Sequence, residues 1–276
     1  MPELPELEVI KDFLQGNLLG RRVEGAEIVR PIVVRNLTEF DPSHLVGEAF
    51  TQVQRRGKFL IFSLDSSDYL VINPMLSGQI YLCPSSQRRL ARTFIILWLE
   101  GGMDLRYVDA KQMGKVYLTR DLSLVSGFAR QGPEALEVTL EEFEERLRRR
   151  RGEIKGILTN QTFLAGIGNA YADEILFCAG IYPFKKRPHL SKEEVEGFYE
   201  AMRKVLLENI CRLQGEMGDQ IHRKFRDSLS VHGKGGSPCP RCGTAISEVR
   251  ARGRLTNFCR RCQPGVMVGS RRLRRS

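Results

Sequence analysis

No stretch of this chain is apolar for long enough to cross a membrane: the longest purely apolar run, Phe94–Leu99, is far below the roughly 20 residues a spanning helix needs. No secretory leader precedes the acidic start, so the expected location is the cytoplasm. The seven cysteines are an odd number in such a chain, which argues against a disulfide framework. Cys83, Cys178 and Cys211 stand alone and read as core or near-surface thiols. The N-terminal half also lacks net basic charge. Residues 1–150 carry 20 Lys and Arg against 21 Asp and Glu, whereas residues 151–276 carry 23 against 12. The overall +10 therefore sits in the second half, and setting aside Arg271, Arg272, Arg274 and Arg275 of the tail still leaves that half at +7. A basic half on a neutral one suggests a surface for a polyanion, with nucleic acid foremost. The rest of the composition, 42% hydrophobic and 28% charged over 276 residues, is that of a globular chain of about two domains.

What is present begins at the first residue. Loss of Met1, made plausible by the small residue after it, would leave Pro2 as a free secondary amine. An α-amino group has an ordinary pKa of about 7.7–8.0 and is partly neutral at physiological pH. Such an amine attacking an aldehyde-like carbon forms an iminium ion, an electron sink for elimination. Glu3 beside it is a candidate proton donor and Glu6 lies one turn on. The same residues also read as an ordinary helix start, with Pro in the first turn and acids at the positive end. Leu7, Ile10, Phe13 and Leu14 continue at helical spacing, and Gly16 and Gly20 punctuate the end.

From Val23 to about Leu118 the pattern changes to short strands. Phe59-Leu-Ile-Phe-Ser-Leu and Tyr69-Leu-Val-Ile flank Asp65-Ser-Ser-Asp, a hairpin signal. Segments from Thr93, Met103 and Lys115 follow, so the half reads as a β-sandwich or flattened barrel with a helix on one edge, holding Pro2 at the rim. Arg55-Arg-Gly-Lys58 leads into the first strong hairpin, as a solvated turn or as a phosphate-facing rim. The strand pattern stops near Gly132-Pro133, placing a boundary at 125–138. Helices are expected at Thr139–Leu147, Ile154–Thr159, Ala170–Ala179 and Ser191–Ile210, with a capping box at Ser191 and Glu194. Gly166 and Gly168 allow a tight turn, Asn169 could cap the helix after it, and that helix N-terminus would offer N–H groups to a phosphate near Lys155. Residues 211–237 read as a mobile connecting loop.

Cys239, Cys242, Cys259 and Cys262 form C-x2-C-x16-C-x2-C. Two such knuckles supply four thiolates in a tetrahedron, a closed structural Zn2+ site with no open position for catalysis. Arg250, Arg252, Arg254, Arg260 and Arg261 decorate the hairpin it would fix, as solvated charges or as phosphate ligands.

Met1-Pro-Glu-Leu-Pro-Glu6, Arg55-Arg-Gly-Lys58, Gly132-Pro-Glu134, Ala165–Phe177 and the four cysteines together resemble the bacterial formamidopyrimidine-DNA glycosylase / endonuclease VIII family, in family order and across almost the whole chain. Leu4 in the opening hexapeptide resembles the first branch more than the second. The resemblance implies an α+β fold: an N-terminal helix on a two-sheet β-sandwich (1–130), a helical domain with a helix-two-turn-helix (131–230), a zinc β-hairpin (231–265) and a basic tail (266–276). It implies a DNA glycosylase with AP-lyase activity acting on duplex DNA that carries damaged bases or abasic sites. In that reading Pro2 attacks C1′, Glu3 assists ring opening and proton transfer, Glu6 positions the amine and Lys58 binds phosphate. Lys155, Asn169 and Arg254 match positions that contact the DNA backbone. The base is flipped out to be reached.

Two loops depart from the family pattern. Asn73-Pro-Met-Leu-Ser-Gly78 places Leu76 at a position where the family inserts Met. Asp109-Ala-Lys-Gln-Met-Gly114 places Lys111 and Met113 where the family has Arg and Phe. Lysine is a point charge and cannot read a base with a planar fork, and Met is a more pliable wedge than an aromatic ring. Relaxed or altered opposite-base specificity is therefore expected, with a lesion other than 8-oxoguanine open as the preferred one. The competing readings are a zinc-ribbon protein that binds damaged DNA without cutting, and an RNA-binding zinc-ribbon protein. Neither uses the intact Pro2, Glu3, Glu6 and Lys58 set. No feature demands an oligomer, and a nucleoid-associated monomer is expected.

Overall fold

The computed structural model describes residues 1–38, 42–251 and 253–265. Arg252 and the basic tail, 266–276, lie outside the described residues.

The opening apolar spacing forms helix α1, Leu4–Leu18, which runs through Gly16 before turning at Gly20 in the left-handed region. Its Leu7, Ile10, Leu14 and Leu18 are buried in one core. Nine strands follow: β1 (Val23–Ile28), β2 (Val34–Asn36), β3 (Phe50–Arg56), β4 (Phe59–Leu64), β5 (Tyr69–Asn73), β6 (Gly78–Pro84), β7 (Thr93–Leu99), β8 (Met103–Asp109) and β9 (Lys115–Thr119). They make a four-stranded antiparallel sheet in the order β1-β7-β8-β6 and a five-stranded sheet in the order β2-β9-β5-β4-β3. In the second sheet only the β2–β9 pair is parallel. The expected hairpin is there, with Leu60 opposite Ile72 and Ser63 opposite Tyr69.

The two sheets face each other. Leu60, Phe62, Ile72 and Val116 of one share a core with Ile80, Ile95, Leu97 and Leu105 of the other. The alternate residues Phe59, Ile61, Val71 and Tyr117 point the other way and are covered by Val125, Leu122 and Phe128. Strand β4 is covered on both faces, which is why it reads as a continuous apolar run and not as an alternation. Helix α1 packs on β3, an edge of the five-stranded sheet.

The remaining helices are α2 (Leu140–Arg148), α3 (Ile154–Leu158), α4 (Asn169–Ala179) and α5 (Lys192–Met217). Thr139 with Glu142, and Ser191 with Glu194, form the capping boxes of α2 and α5. Their second core holds Phe143, Phe163, Tyr171, Ile175, Phe198 and Leu206, and Leu4 of α1 reaches into it. Helix α1 thus belongs to both cores. Helix α5 outruns the expected end at Ile210 by seven residues, because Leu213 and Met217 continue its apolar stripe into the β-sandwich core. The segment after it is packed: Ile221, Leu229 and Val231 are buried. Strands β10 (Ser247–Ala251) and β11 (Arg254–Phe258) form a separate antiparallel hairpin.

Candidate active site

Glu3 precedes α1 and is 2% exposed, yet its carboxylate is fully engaged. Oε2 accepts from the backbone N–H of Gly168 at 2.7 Å and of Tyr171 at 3.2 Å, and Oε1 accepts from Ala170 at 3.0 Å. The acid of the first helix therefore caps the first turn of α4, where orphan N–H groups and the positive dipole end favour a negative charge. Gly168 is required by this approach, since a Cβ there would lie 2.4 Å from Glu3 Cδ. Two expectations change accordingly. Gly168, not Asn169, is the N-cap, and the N–H groups expected to face a phosphate are taken by Glu3.

Glu6 accepts from the Glu3 N–H at 2.9 Å and from Arg226 Nε at 3.2 Å. Burial raises its pKa, against the pull of Arg226. Arg226 comes from the segment after α5. Its Nη2 donates to the Met1 carbonyl at 2.6 Å and lies 3.7 Å from Glu3 Oε1. The Met1 amine is lowered to about 6, by burial first and then by Arg226 and Lys224. A small cleft beside Pro2 is lined by Pro74, Gly78 and Ile80 of the sandwich and by Ile221 and His222. The His222 ring stacks on Tyr81 at 4.3 Å.

Lys58 opens β4's turn and is 7% exposed. Among the described residues its ammonium has no hydrogen bond or ion pair, and burial lowers its pKa against the field of Glu3. The two arginines before it do not form a phosphate rim. Glu134 gathers them: it accepts from Arg55 Nη1 at 2.5 Å, from Arg56 Nη1 at 2.8 Å and from the Gly57 N–H at 2.6 Å. Arg55 also meets Glu8 at 2.5 Å and Arg56 donates to the Gly132 carbonyl at 2.6 Å. This clamp fixes the turn that delivers Lys58, with Gly57 at φ +56°.

The two loops that depart from the family pattern sit side by side. Ser77 donates to Asp109, whose carboxylate also accepts from the N–H groups of Lys111 at 3.1 Å and Gly114 at 2.7 Å. Met75 and Gln112 hold positive φ, and Leu76, Lys111 and Met113 are exposed at the tips.

Lys155 and Asn169 are spent on the hairpin. Lys155 Nζ meets Asp173 Oδ1 at 2.6 Å, the Leu255 carbonyl at 2.8 Å and Thr256 Oγ1 at 2.9 Å. Asn169 Nδ2 donates to the same Leu255 carbonyl at 2.7 Å, leaving its buried Oδ1 without a partner among the described residues. Arg254 is exposed and donates to Thr159 at 2.6 Å. An open groove of about 700 Å³ between α3 and the hairpin is lined by Arg149, Arg150, Arg151, Lys155 and Arg254.

The sulfurs of Cys239, Cys242, Cys259 and Cys262 all lie within 4.8 Å of one another, with Cys239–Cys262 at 3.8 Å and Cys242–Cys259 at 3.5 Å. Tetrahedral Zn–S bonds of about 2.3 Å put sulfurs about 3.8 Å apart, so the four fit one zinc ion.

Known proteins agree with this architecture. The family model described as formamidopyrimidine-DNA glycosylase N-terminal domain matches residues 1–116, its H2TH domain matches 131–220, and the zinc finger found in FPG and IleRS matches 236–265. The formamidopyrimidine-DNA glycosylase of Symbiobacterium thermophilum is 37% identical over 99% of this chain and 94% of its own. The chain belongs to the formamidopyrimidine-DNA glycosylase family. That of Desulfitobacterium hafniense is also 37% identical, over 95% of this chain and 100% of its own. The Lactococcus lactis FPG in complex with FAPY-dG containing DNA superposes with a TM-score of 0.86 at 29% identity, covering 95% of this chain and 100% of that one. Its complex with an abasic site containing DNA gives 0.86 at 28%, with the same coverage. The zinc hairpin of this glycosylase-family chain is thus structural, closed by four thiolates. Three residues central to the geometry had no role read from the sequence: Arg226 lies outside every motif, and Asp173 and Glu174 lie within Ala165–Phe177. Arg226, Asp173 and Glu174 each act through partners more than fifty residues away, Glu174 by accepting from the N–H groups of Ser230, Val231 and His232. The only available signal was chemical: two buried carboxylates at the chain start require a cation.

Proposed function

We propose that this protein is a base-excision DNA glycosylase with AP-lyase activity, working through the amine of Pro2 once Met1 is removed. Its substrate would be duplex DNA carrying damaged bases, with oxidised purines foremost, or abasic sites, and that substrate would associate it with the nucleoid. The observation that carries the reading is the convergence of Glu3, Glu6 and Arg226 on the start of the chain, with buried Lys58 in the field of the two carboxylates. Binding alone gives no use for two buried carboxylates and a guanidinium gathered at the N-terminal turn.

The chemistry follows from the groups. Arg226, which with burial and Lys224 lowers the Met1 amine, also lies against the Met1–Pro2 peptide, and a cation there favours the neutral form of an amine at Pro2. Pro2 attacks C1′ and the base departs. The C1′–O4′ bond then opens to the iminium, whose 2′ proton is acidic, and successive eliminations expel both phosphates. Glu3 carries protons between the nitrogen and O4′, and Glu6 orients the amine-bearing turn through the Glu3 N–H. Lys58, without a hydrogen bond or ion pair among the described residues, would bind the phosphate next to the lesion. Arg254 would meet the backbone along the groove of 149–156, with Lys155 and Asn169 holding the hairpin that carries it. In this reading 1–130 is the catalytic sandwich, 131–230 the helical DNA-binding unit and 231–265 the zinc finger.

The test is borohydride trapping of the mature protein on duplex DNA bearing 8-oxoguanine or an abasic site. A covalent adduct that disappears in Pro2→Gly is expected. Trapping on the abasic site alone would move the base preference away from 8-oxoguanine, and no adduct on either DNA would leave a damage-binding protein. The exposed Leu76, Lys111 and Met113 further predict weak discrimination of the opposite base, because lysine lacks the rigid planar fork that fixes a bidentate contact, and a good bidentate pair is worth about 1–3 kcal/mol. Excision rates opposite C and opposite A measure this directly, and a strong preference for C would sink it.

A further inference from the structure

Arg226 occupies a position that the roles assigned so far leave unexplained. With Met1 in place the Pro2 nitrogen is an amide, and the acyl carbon attached to it sits where the carbon attacked by the free amine would sit. The carbonyl oxygen of Met1 then stands in for the oxygen that this carbon carries. In a nucleoside that oxygen is O4′ of the sugar ring. Arg226 Nη2 donates to the Met1 oxygen at 2.6 Å. The same guanidinium is anchored through Nε to Glu6 at 3.2 Å and has Glu3 Oε1 3.7 Å from Nη2. Its side chain is 24% exposed; Nε is held by the buried Glu6 carboxylate, and Nη2 is the N–H aimed at the site of reaction.

We propose that Arg226 is a catalytic residue that donates a hydrogen bond to O4′ as the C1′–O4′ bond breaks. The inference rests on the Pro2 reading above and adds a residue to it. The step balances without any further reagent. The Pro2 lone pair forms the N–C1′ bond and the base leaves with the pair of its glycosidic bond, taking a proton from solvent. The proton on the Pro2 nitrogen passes to the Glu3 carboxylate, and the freed lone pair forms C1′=N⁺ as the C1′–O4′ pair moves onto oxygen. O4′ then takes the proton from Glu3 and becomes a hydroxyl. Negative charge grows on O4′ before that proton arrives, and a fixed guanidinium N–H is suited to stabilise it, since arginine stays charged and its fork is pre-oriented. Glu3 is less able to act as the donor to O4′ alone, because three backbone N–H groups hold its oxygens on α4.

The experiment separates this role from a structural one by changing the substrate as well as the protein. Single-turnover borohydride trapping of the mature protein is measured on two duplexes. One carries a natural abasic site, and the other an acyclic linker with an aldehyde at the C1′ position and no O4′. Neither carries a base, so departure of the base cannot account for a difference. Arg226→Gln is expected to slow trapping about 10²-fold on the natural site, the usual effect of removing one pre-organised donor to a developing oxyanion. On the acyclic aldehyde the slowing should be about tenfold smaller, because loss of the cation beside the amine acts on both substrates but no ring oxygen has to leave here. Arg226→Lys should fall between. The readout is the ratio of the two substrates within each variant, so partial loss of folded protein cancels. Equal slowing on both substrates, or slowing on neither, overturns the proposal. Trapping by the unmodified protein that Pro2→Gly abolishes upholds the Pro2 reading whichever way Arg226 behaves. An unmodified protein that traps neither substrate overturns both.

Discussion

Two lysines of this chain are almost equally buried, Lys58 at 7% and Lys155 at 6% exposed, and they live in opposite surroundings. Lys155 has a carboxylate, a carbonyl and a hydroxyl within 2.9 Å. Lys58 has no such partner among the described residues, although Glu3 and Glu6 are near enough to act on it electrostatically. Burial lowers the pKa of both. A desolvated ammonium with satisfied hydrogen bonds is a structural part, and one without them is a standing cost that the fold tolerates where a ligand will supply the missing acceptors. Lys155 holds the zinc hairpin against α4, and the contrast is the ground for proposing that Lys58 serves the substrate. Both were expected to face phosphate from sequence alone.

The largest perturbation should turn Lys155 into a residue like Lys58. Stripping zinc with a chelator removes the ion that closes the hairpin, and structural zinc binding is worth about 10–16 kcal/mol in small fingers. Leu255 and Thr256 would then leave Lys155, and Asn169 would lose the same carbonyl. Hydrogen exchange should show residues 237–262 losing protection while the two sheets keep theirs. Uniform loss across the sandwich would mean that the hairpin is part of one cooperative unit.

How much of this was legible in the sequence depended on distance along the chain. The first helix, the β4–β5 hairpin and the zinc knuckles rest on spacings of a few residues, and a local pattern is enough to find them. The end of α5 was missed because Gly215 and a polar stretch looked like a loop. What holds Leu213 and Met217 helical is a core built by residues two hundred positions earlier. Polar partners were least legible. Glu3 meets Gly168 across 165 residues and Arg226 meets Glu6 across 220, and nothing periodic marks such pairs. The sequence leaves Arg55 and Arg56 open as a solvated turn or a phosphate rim, and their pairing with Glu134 is neither. Composition counts charges, but only the fold says which are already neutralised.

Replacing Lys155 by Met is the next largest test. It leaves Asp173, which is fully buried, without its ammonium, and breaking one partner of a buried pair costs about 3–5 kcal/mol. The His232 ring, 2.8 Å from the other Asp173 oxygen, would be the remaining group able to supply a proton. Denaturant unfolding should show the loss, and DNA affinity should fall with the displaced hairpin. A variant of unchanged stability would erase the distinction between the two lysines.

The smallest effect on stability should also be the most telling, because its sign is reversed. Lys58→Met removes a buried charge that no described residue satisfies, and places an apolar side chain of similar length against the same walls. The variant should be more stable at neutral pH by about 1 kcal/mol, the scale of a typical stability–function trade. The pH dependence fixes the cause. A lysine whose folded pKa lies below its unfolded value of about 10.5 binds fewer protons folded than unfolded in the interval between them. Stability therefore rises with pH through that interval, and Lys58→Met should flatten the rise, as unfolding free energies between pH 7 and 10 will measure. Trapping on abasic DNA should fall at the same time, since the phosphate loses its cation. Gain of stability with loss of activity is the signature of a residue kept for the substrate. A Lys58→Met protein that is less stable, or equally active, would place Lys58 with Lys155 among the parts that only hold the fold.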